Sequence, residues 1–142
     1  MFFEDLKMTG QLKIALNGEV VQETNNLVVS GGKEWVAQRM KGTNSAMSHM
    51  GVGTGSTAAA AGDTALGNEL ERNALTTSGG TVSNNTITFE CTWGAGDGTG
   101  AITEAGVFDA ASGGDMLART VFAVVNKGAS DIMTISWTVT VS

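Results

Sequence analysis

The chain has 142 residues, of which 20 are Gly, one is Cys and none is Pro, with 15% charged and a net charge of −6. This excludes a collagen-like chain, which needs Pro and a strict Gly period, and a disordered one, which needs less apolar content than 42%. A nucleic-acid binder, a disulfide framework, a thiolate metal cage and a helical membrane span are excluded too, for want of clustered cations, cysteines and a long apolar run.

Length fits one domain able to bury roughly 68–70% of its unfolded surface. Leu12, Ile14 and Leu16 alternate with Gln11, Lys13 and Ala15 and predict a strand. Asn17-Gly18 then predicts a hairpin turn, because both residues accept positive φ, and Val20-Val21 begins the return strand. Leu27 to Val29 is strand-like. After Gly31-Gly32, residues 33–41 place Trp35, Val36, Arg39 and Met40 at helical spacing, with Gly42 as the C-cap. Asp63 is positioned to cap a short turn through Leu66 to Leu70.

Thr86 to Trp93 sets Ile87, Phe89, Cys91 and Trp93 against Thr86, Thr88, Glu90 and Thr92. Leu117 to Val125 is apolar on both faces and predicts a central strand. Asn126 to Asp131 predicts a turn into a last strand, Met133 to Val141, and hence a long C-terminal hairpin. Together these predict an all-β antiparallel sandwich, jelly-roll or immunoglobulin-like, with one short helix around 33–41. A single domain covers residues 1–142, with residues 1–7 as a candidate N-terminal arm.

Charge is uneven. Residues 1–41 carry five basic and five acidic side chains, whereas Arg72, Arg119 and Lys127 face nine acids over the rest. Low-complexity stretches (51–62, 78–85 and 94–100) separate the strands and serve as loops in which Gly supplies positive φ or bulges. None fits a phosphate loop: no G-x-G-x-x-G opens a helix, and Gly31-Gly32-Lys33 lacks the following Ser or Thr. Asn84-Asn85-Thr86 is formally a glycosylation sequon, a pattern common by chance.

Chemistry-bearing residues are few. His49, the one histidine, has Ser48 beside it and Asp63 downstream, but no nucleophile-elbow spacing surrounds any Ser, so it is read as a polar residue on a strand edge. Cys91 alternates in phase with core residues and reads as a small hydrophobe. Glu90 and Glu104 could pair as glycosidase carboxylates, yet Glu90 lies on the hydroxyl face of its strand and no spacing joins the two. No catalytic, cofactor-binding or metal-ligating residue is assigned, and no enzyme activity or cofactor is expected.

The runs Asn26–Val29, Gly32–Met40, Ala46–Gly55 and Asp63–Gly67, followed by Gly100–Ala110, Met116–Phe122 and Val125–Lys127, resemble small virion proteins of tailed bacteriophages. The similarity extends in order over nearly all of the chain after about residue 25. It implies a non-enzymatic virion structural protein, most simply a capsid cement (decoration) protein on the capsid exterior. Its partners would then be the major capsid protein and further copies of itself as a dimer or trimer, with no nucleic acid or membrane. The alternative is a tail-fibre or baseplate-associated β-domain that binds a virion neighbour or a host surface glycan. Phe2 and Phe3, two aromatics without a local partner, either fold back on the core or anchor into another subunit; on the second reading they and Lys7 are the candidate subunit-interface residues. The seven Met side chains read as gap-fillers of the core.

Overall fold

A computed structural model describes residues 6–142. Phe2 and Phe3 lie outside the described residues. Nine strands and one helix follow in the order β1 (Met8–Leu16), β2 (Glu19–Val28), α1 (Ser30–Lys41), β3 (His49–Gly53), β4 (Glu69–Ala74), β5 (Thr81–Ser83), β6 (Thr86–Trp93), β7 (Gly100–Phe108), β8 (Met116–Lys127) and β9 (Met133–Val141). All neighbouring strands are antiparallel, so the expected all-β antiparallel class with a single short helix is what the chain forms.

The strands make one continuous sheet, β4-β3-β7-β8-β2-β1-β9-β6-β5. It curls so that its two halves share one core. Leu12, Ile14, Phe89, Trp93, Ile135 and Trp137 from one half meet Met50, Val52, Ile102, Val107 and Phe122 from the other. β2 makes the passage between halves: it pairs with β1 along most of its length but with β8 only through Leu27 and Val28. At the far side the curl draws β4 toward β6, where the Asn73 amide donates to the Thr92 carbonyl at 3.1 Å and Thr76 N–H donates to Glu90 O at 2.8 Å.

Alternation located β6 and β9 well. Phe89, Cys91 and Trp93 are buried, as are Met133, Ile135, Trp137 and Val139. Thr88 and Thr92, on the opposite face of β6, meet Thr138 and Thr134 of β9 at 3.4 and 3.0 Å. The Asn17-Gly18 hairpin forms with φ of 51° and 82°, the left-handed pair that a two-residue turn requires.

Three expectations are corrected. β8 and β9 do not form a hairpin: β8 lies between β7 and β2, while β9 lies between β1 and β6. The turn chemistry at 126–131 is present, with Gly128 N–H on Asp131 Oδ2 at 2.7 Å, but it moves the chain from one half of the curl to the other. The helix begins three residues earlier than its apolar spacing indicates, so Gly31 and Gly32 are helical. A Cβ at Gly32 would lie 2.1 Å from the Leu117 carbonyl oxygen, so Gly here lets the helix approach the backbone of β8. Finally, Leu66 to Leu70 forms no helical turn: the Gly67 and Asn68 N–H groups are engaged elsewhere, as described next, and Glu69 and Leu70 open β4.

Candidate functional site

β7 and β8 sit near the middle of the sheet order and are buried on both faces over much of their length. One face looks into the main core. The other carries a second cluster, Val29, Leu66, Phe108 and Met116, beneath the loop that joins β3 to β4 (residues 54–68). On this side the register places Gly106 opposite Arg119 and Glu104 opposite Val121, so Glu104 and Arg119 become neighbours on adjacent strands.

Glu104 is fully buried and Arg119 is 2% exposed. Arg119 donates to Glu104 Oε1 from Nε at 3.2 Å and from Nη2 at 3.0 Å. Gly67 N–H adds a bond to the same oxygen at 2.7 Å, and Oε2 accepts from Gly55 N–H at 2.6 Å and Asn68 N–H at 2.7 Å. A buried carboxylate without partners would be strongly unfavourable; here five donors compensate it. Burial by itself would raise its pKa, but the Asn68 and Gly67 amides, the guanidinium and the Gly55 amide outweigh that, so the carboxyl titrates below its ordinary value.

The remaining Arg119 donors reach the loop as well. Nη1 meets Asp63 Oδ2 at 2.8 Å and Nη2 meets the Thr57 carbonyl at 3.0 Å. Asp63 also accepts from Ala60 N–H at 2.9 Å, and that backbone bond with the guanidinium lowers its pKa. Thr103 Oγ1 donates to Gly55 O at 2.7 Å, and Ala61 O accepts the Ser30 N–H at 2.7 Å, which ties the loop to the start of α1.

The 51–55 glycines therefore have a packing role. A Cβ at Gly55 would fall 2.3 Å from Glu104 Oε2, and one at Gly53 would fall 2.3 Å from the Asn68 carbonyl. The loop does cradle an anion through backbone amides, but the anion is the protein's own side chain. A second arginine extends the scheme. Arg72 on β4 pairs with Glu69 at 2.7 Å, donates to the Ala110 and Gly113 carbonyls, and stacks 3.6 Å from the centroid of the Phe108 ring.

The residues weighed for catalysis are dispersed by the fold. Glu90 is exposed on the hydroxyl face of β6, bonded by Ser136 Oγ at 3.4 Å, whereas Glu104 is enclosed under the loop. Ser48 Oγ lies 2.8 Å from His49 Nδ1, but Asp63 is held by Arg119 and does not complete a triad. His49 is also not on an edge, since β3 is flanked by β4 and β7. Cys91 is buried, and its thiol is pushed up to about 12 by burial, which suits a small core hydrophobe. Lys7 is exposed, with its backbone paired to Ser142 at 2.7 and 2.8 Å. Among the described residues, no group of three or more His, Cys, Asp or Glu is placed to hold a metal ion, and no helix is long and apolar enough to cross a membrane.

Sequence reasoning passed over Glu104 and Arg119 as a pair. A signal is present: Arg119 is the one charge in the run Leu117–Val125, whose apolar residues on both faces predict a central strand. An arginine there needs a counter-ion from a neighbouring strand.

No curated protein and no solved structure matches the chain. The model of one protein family matches residues 33–138, which takes in α1, the Gly-rich loop, Glu104 and Arg119. By that match the chain belongs to the family described as Podophage GP4 fiber I protein gp80, and is a bacteriophage virion structural protein.

Proposed function

We propose that this chain is a non-enzymatic component of the phage tail-fibre apparatus, a rigid β-domain that docks on a virion neighbour or on host surface glycan. The observation that carries the reading is the fibre-family match over residues 33–138. The site geometry agrees with it. The buried carboxylate and guanidinium are saturated by internal partners and hold a 15-residue loop in one conformation, as a presentation scaffold requires. Rigid display lowers the entropy lost on docking, and none of this needs bond-making chemistry.

The capsid-cement role, with the major capsid protein as partner, makes the opposite prediction about phenotype. Particles lacking this chain should keep the heat and osmotic resistance of their heads and lose host adsorption at least tenfold. Heads that burst on heating while adsorption stays normal would replace the fibre reading with the cement one.

A further inference from the structure

The turn that joins β1 to β2 is Asn17-Gly18, the one place in the chain where Gly follows Asn. Both residues hold positive φ, 51° and 82°, and among the described residues nothing lies within 4 Å of where a Gly18 Cβ would stand. The Asn17 side chain, by contrast, is tied. Its Nδ2 donates to Asp131 Oδ1 at 2.9 Å, and its Oδ1 accepts the Ile132 N–H at 2.9 Å. The Asn17 N–H donates to the Ile132 carbonyl at 2.8 Å, and the other Asp131 oxygen accepts the Gly128 N–H at 2.7 Å. Loop 128–132, which carries the chain from one half of the curl to the other, is therefore clamped by one carboxamide. A carboxamide serves both partners, as donor to the carboxylate and acceptor from the backbone. The same loop also reaches the turn after β6, through Gly96 N–H on the Ala129 carbonyl at 2.7 Å.

We propose that Asn17 is a self-modification site, a one-way latch whose conversion releases the crossover between the two halves. Asn before Gly is the arrangement in which a side-chain amide is most readily lost, because Gly has no Cβ to shield its backbone nitrogen. The Gly18 nitrogen gives its proton to water and bonds to Asn17 Cγ; the Cγ–Nδ2 bond breaks and ammonia leaves. The five-membered imide then takes up one water. Opening at Cγ leaves an aspartate at position 17, and opening at the main-chain carbonyl leaves isoaspartate, which routes the backbone through the side chain. Water is consumed, ammonia is released, and nothing is oxidised or reduced. In the closed clamp Cγ is held toward Asp131 and Ile132, so attack waits on local opening of the loop. Either product ends the clamp. A carboxylate at position 17 would face the Asp131 carboxylate across the 2.9 Å that the amide donor now spans, and like charges that close repel. Isoaspartate adds a methylene to the main chain, which the two-residue turn does not accommodate. Opening permits conversion, and conversion prevents closing.

The test keeps the full chain folded near neutral pH for several weeks and follows it by peptide mass mapping, enzymatic assay of isoaspartate and hydrogen exchange. Ammonia loss is expected to be greatest at Asn17, and the converted chain is expected to exchange faster at the β1–β2 turn and across 128–132. Asp131→Ala, which frees the amide from its charged partner, is expected to speed the loss at Asn17 about tenfold, the scale of a hydrogen bond to a charged group. Asn17→Asp reproduces the hydrolysed product and is expected to lower the thermal transition. Adding Asp131→Asn to it exchanges donor and acceptor across the same contact, and is expected to restore most of the loss. An Asn17 that stays intact, a rate unchanged by Asp131→Ala, or unchanged exchange across 128–132 after conversion would each overturn the inference. So would a double variant no more stable than Asn17→Asp alone. Because the assay needs no virion, its failure leaves the fibre reading standing, and loss of the fibre reading leaves the latch intact.

Discussion

At the scale of single residues, the molecule depends on a carboxylate that has no access to water. Glu104→Gln keeps the shape but removes the fully buried anion paired with Arg119, leaving the guanidinium only the part-exposed Asp63, and is expected to cost about 3–5 kcal/mol in denaturant unfolding. The double change Glu104→Gln with Arg119→Met should cost clearly less than the sum of the two single changes, which a double-mutant cycle would measure. Additive costs would show that the two side chains act separately. Glu104, Asp63 and Asp131 all have folded-state pKa values below their ordinary values of 4.5, 3.8 and 3.8. A lowered pKa means the unfolded chain binds protons more readily. Stability from these groups is therefore fully present above the ordinary values and lost as pH falls through the lower folded values. Thermal unfolding between about pH 7 and pH 3 should accordingly show a transition temperature that is flat above about pH 5 and then declines. The thiol of Cys91, enclosed in the core, should resist alkylation in the folded protein.

At the scale of elements, what could be read from the sequence was whatever a local pattern determines. β6 and β9 follow from strict alternation, and the β1–β2 turn follows from Asn17-Gly18, since each depends only on residues close in sequence. Pairing across distance was not legible. The turn residues at 126–131 signal that the chain bends but not which strand β9 will join, and β1 takes that place. The first turn of α1 was hidden for a related reason: Gly31 and Gly32 have poor helix propensity, and only the contact with β8 explains Gly32. Glu104 and Arg119 were legible singly and not as a pair, because the register of β7 against β8 contains irregularities that alternation does not reveal. Gly32→Ala is expected to destabilise by about 1–3 kcal/mol, because the added methyl meets backbone that cannot rotate away. Gly31→Ala, with open space around its Cβ, should be neutral or slightly stabilising. Equal effects at the two positions would contradict the close helix–strand approach.

At the scale of the whole molecule, the interior of the sheet is joined by pairing between strands far apart in the chain. β1 pairs with β9 over its full length, from Met8 opposite Val141 to Leu16 opposite Met133. Such non-local pairing makes folding slow for the size of the chain, in the range of milliseconds to seconds. The sequence has no Pro, so a proline-limited phase of tens of seconds should be missing from refolding. Stopped-flow fluorescence of Trp93 and Trp137, both fully buried, reports this directly.

The division of charge seen in the sequence also gains a location. β1, β2 and α1 all fall within the neutral first 41 residues, while β3 to β9 fall in the acidic remainder. A β-domain that serves the fibre apparatus, as proposed, has a definite place in the particle. Cryo-electron microscopy of the virion, with the nine-strand curled sheet fitted to density, tests it most directly. The account predicts density for the domain on the tail or its fibres; density on the capsid lattice alone would contradict it.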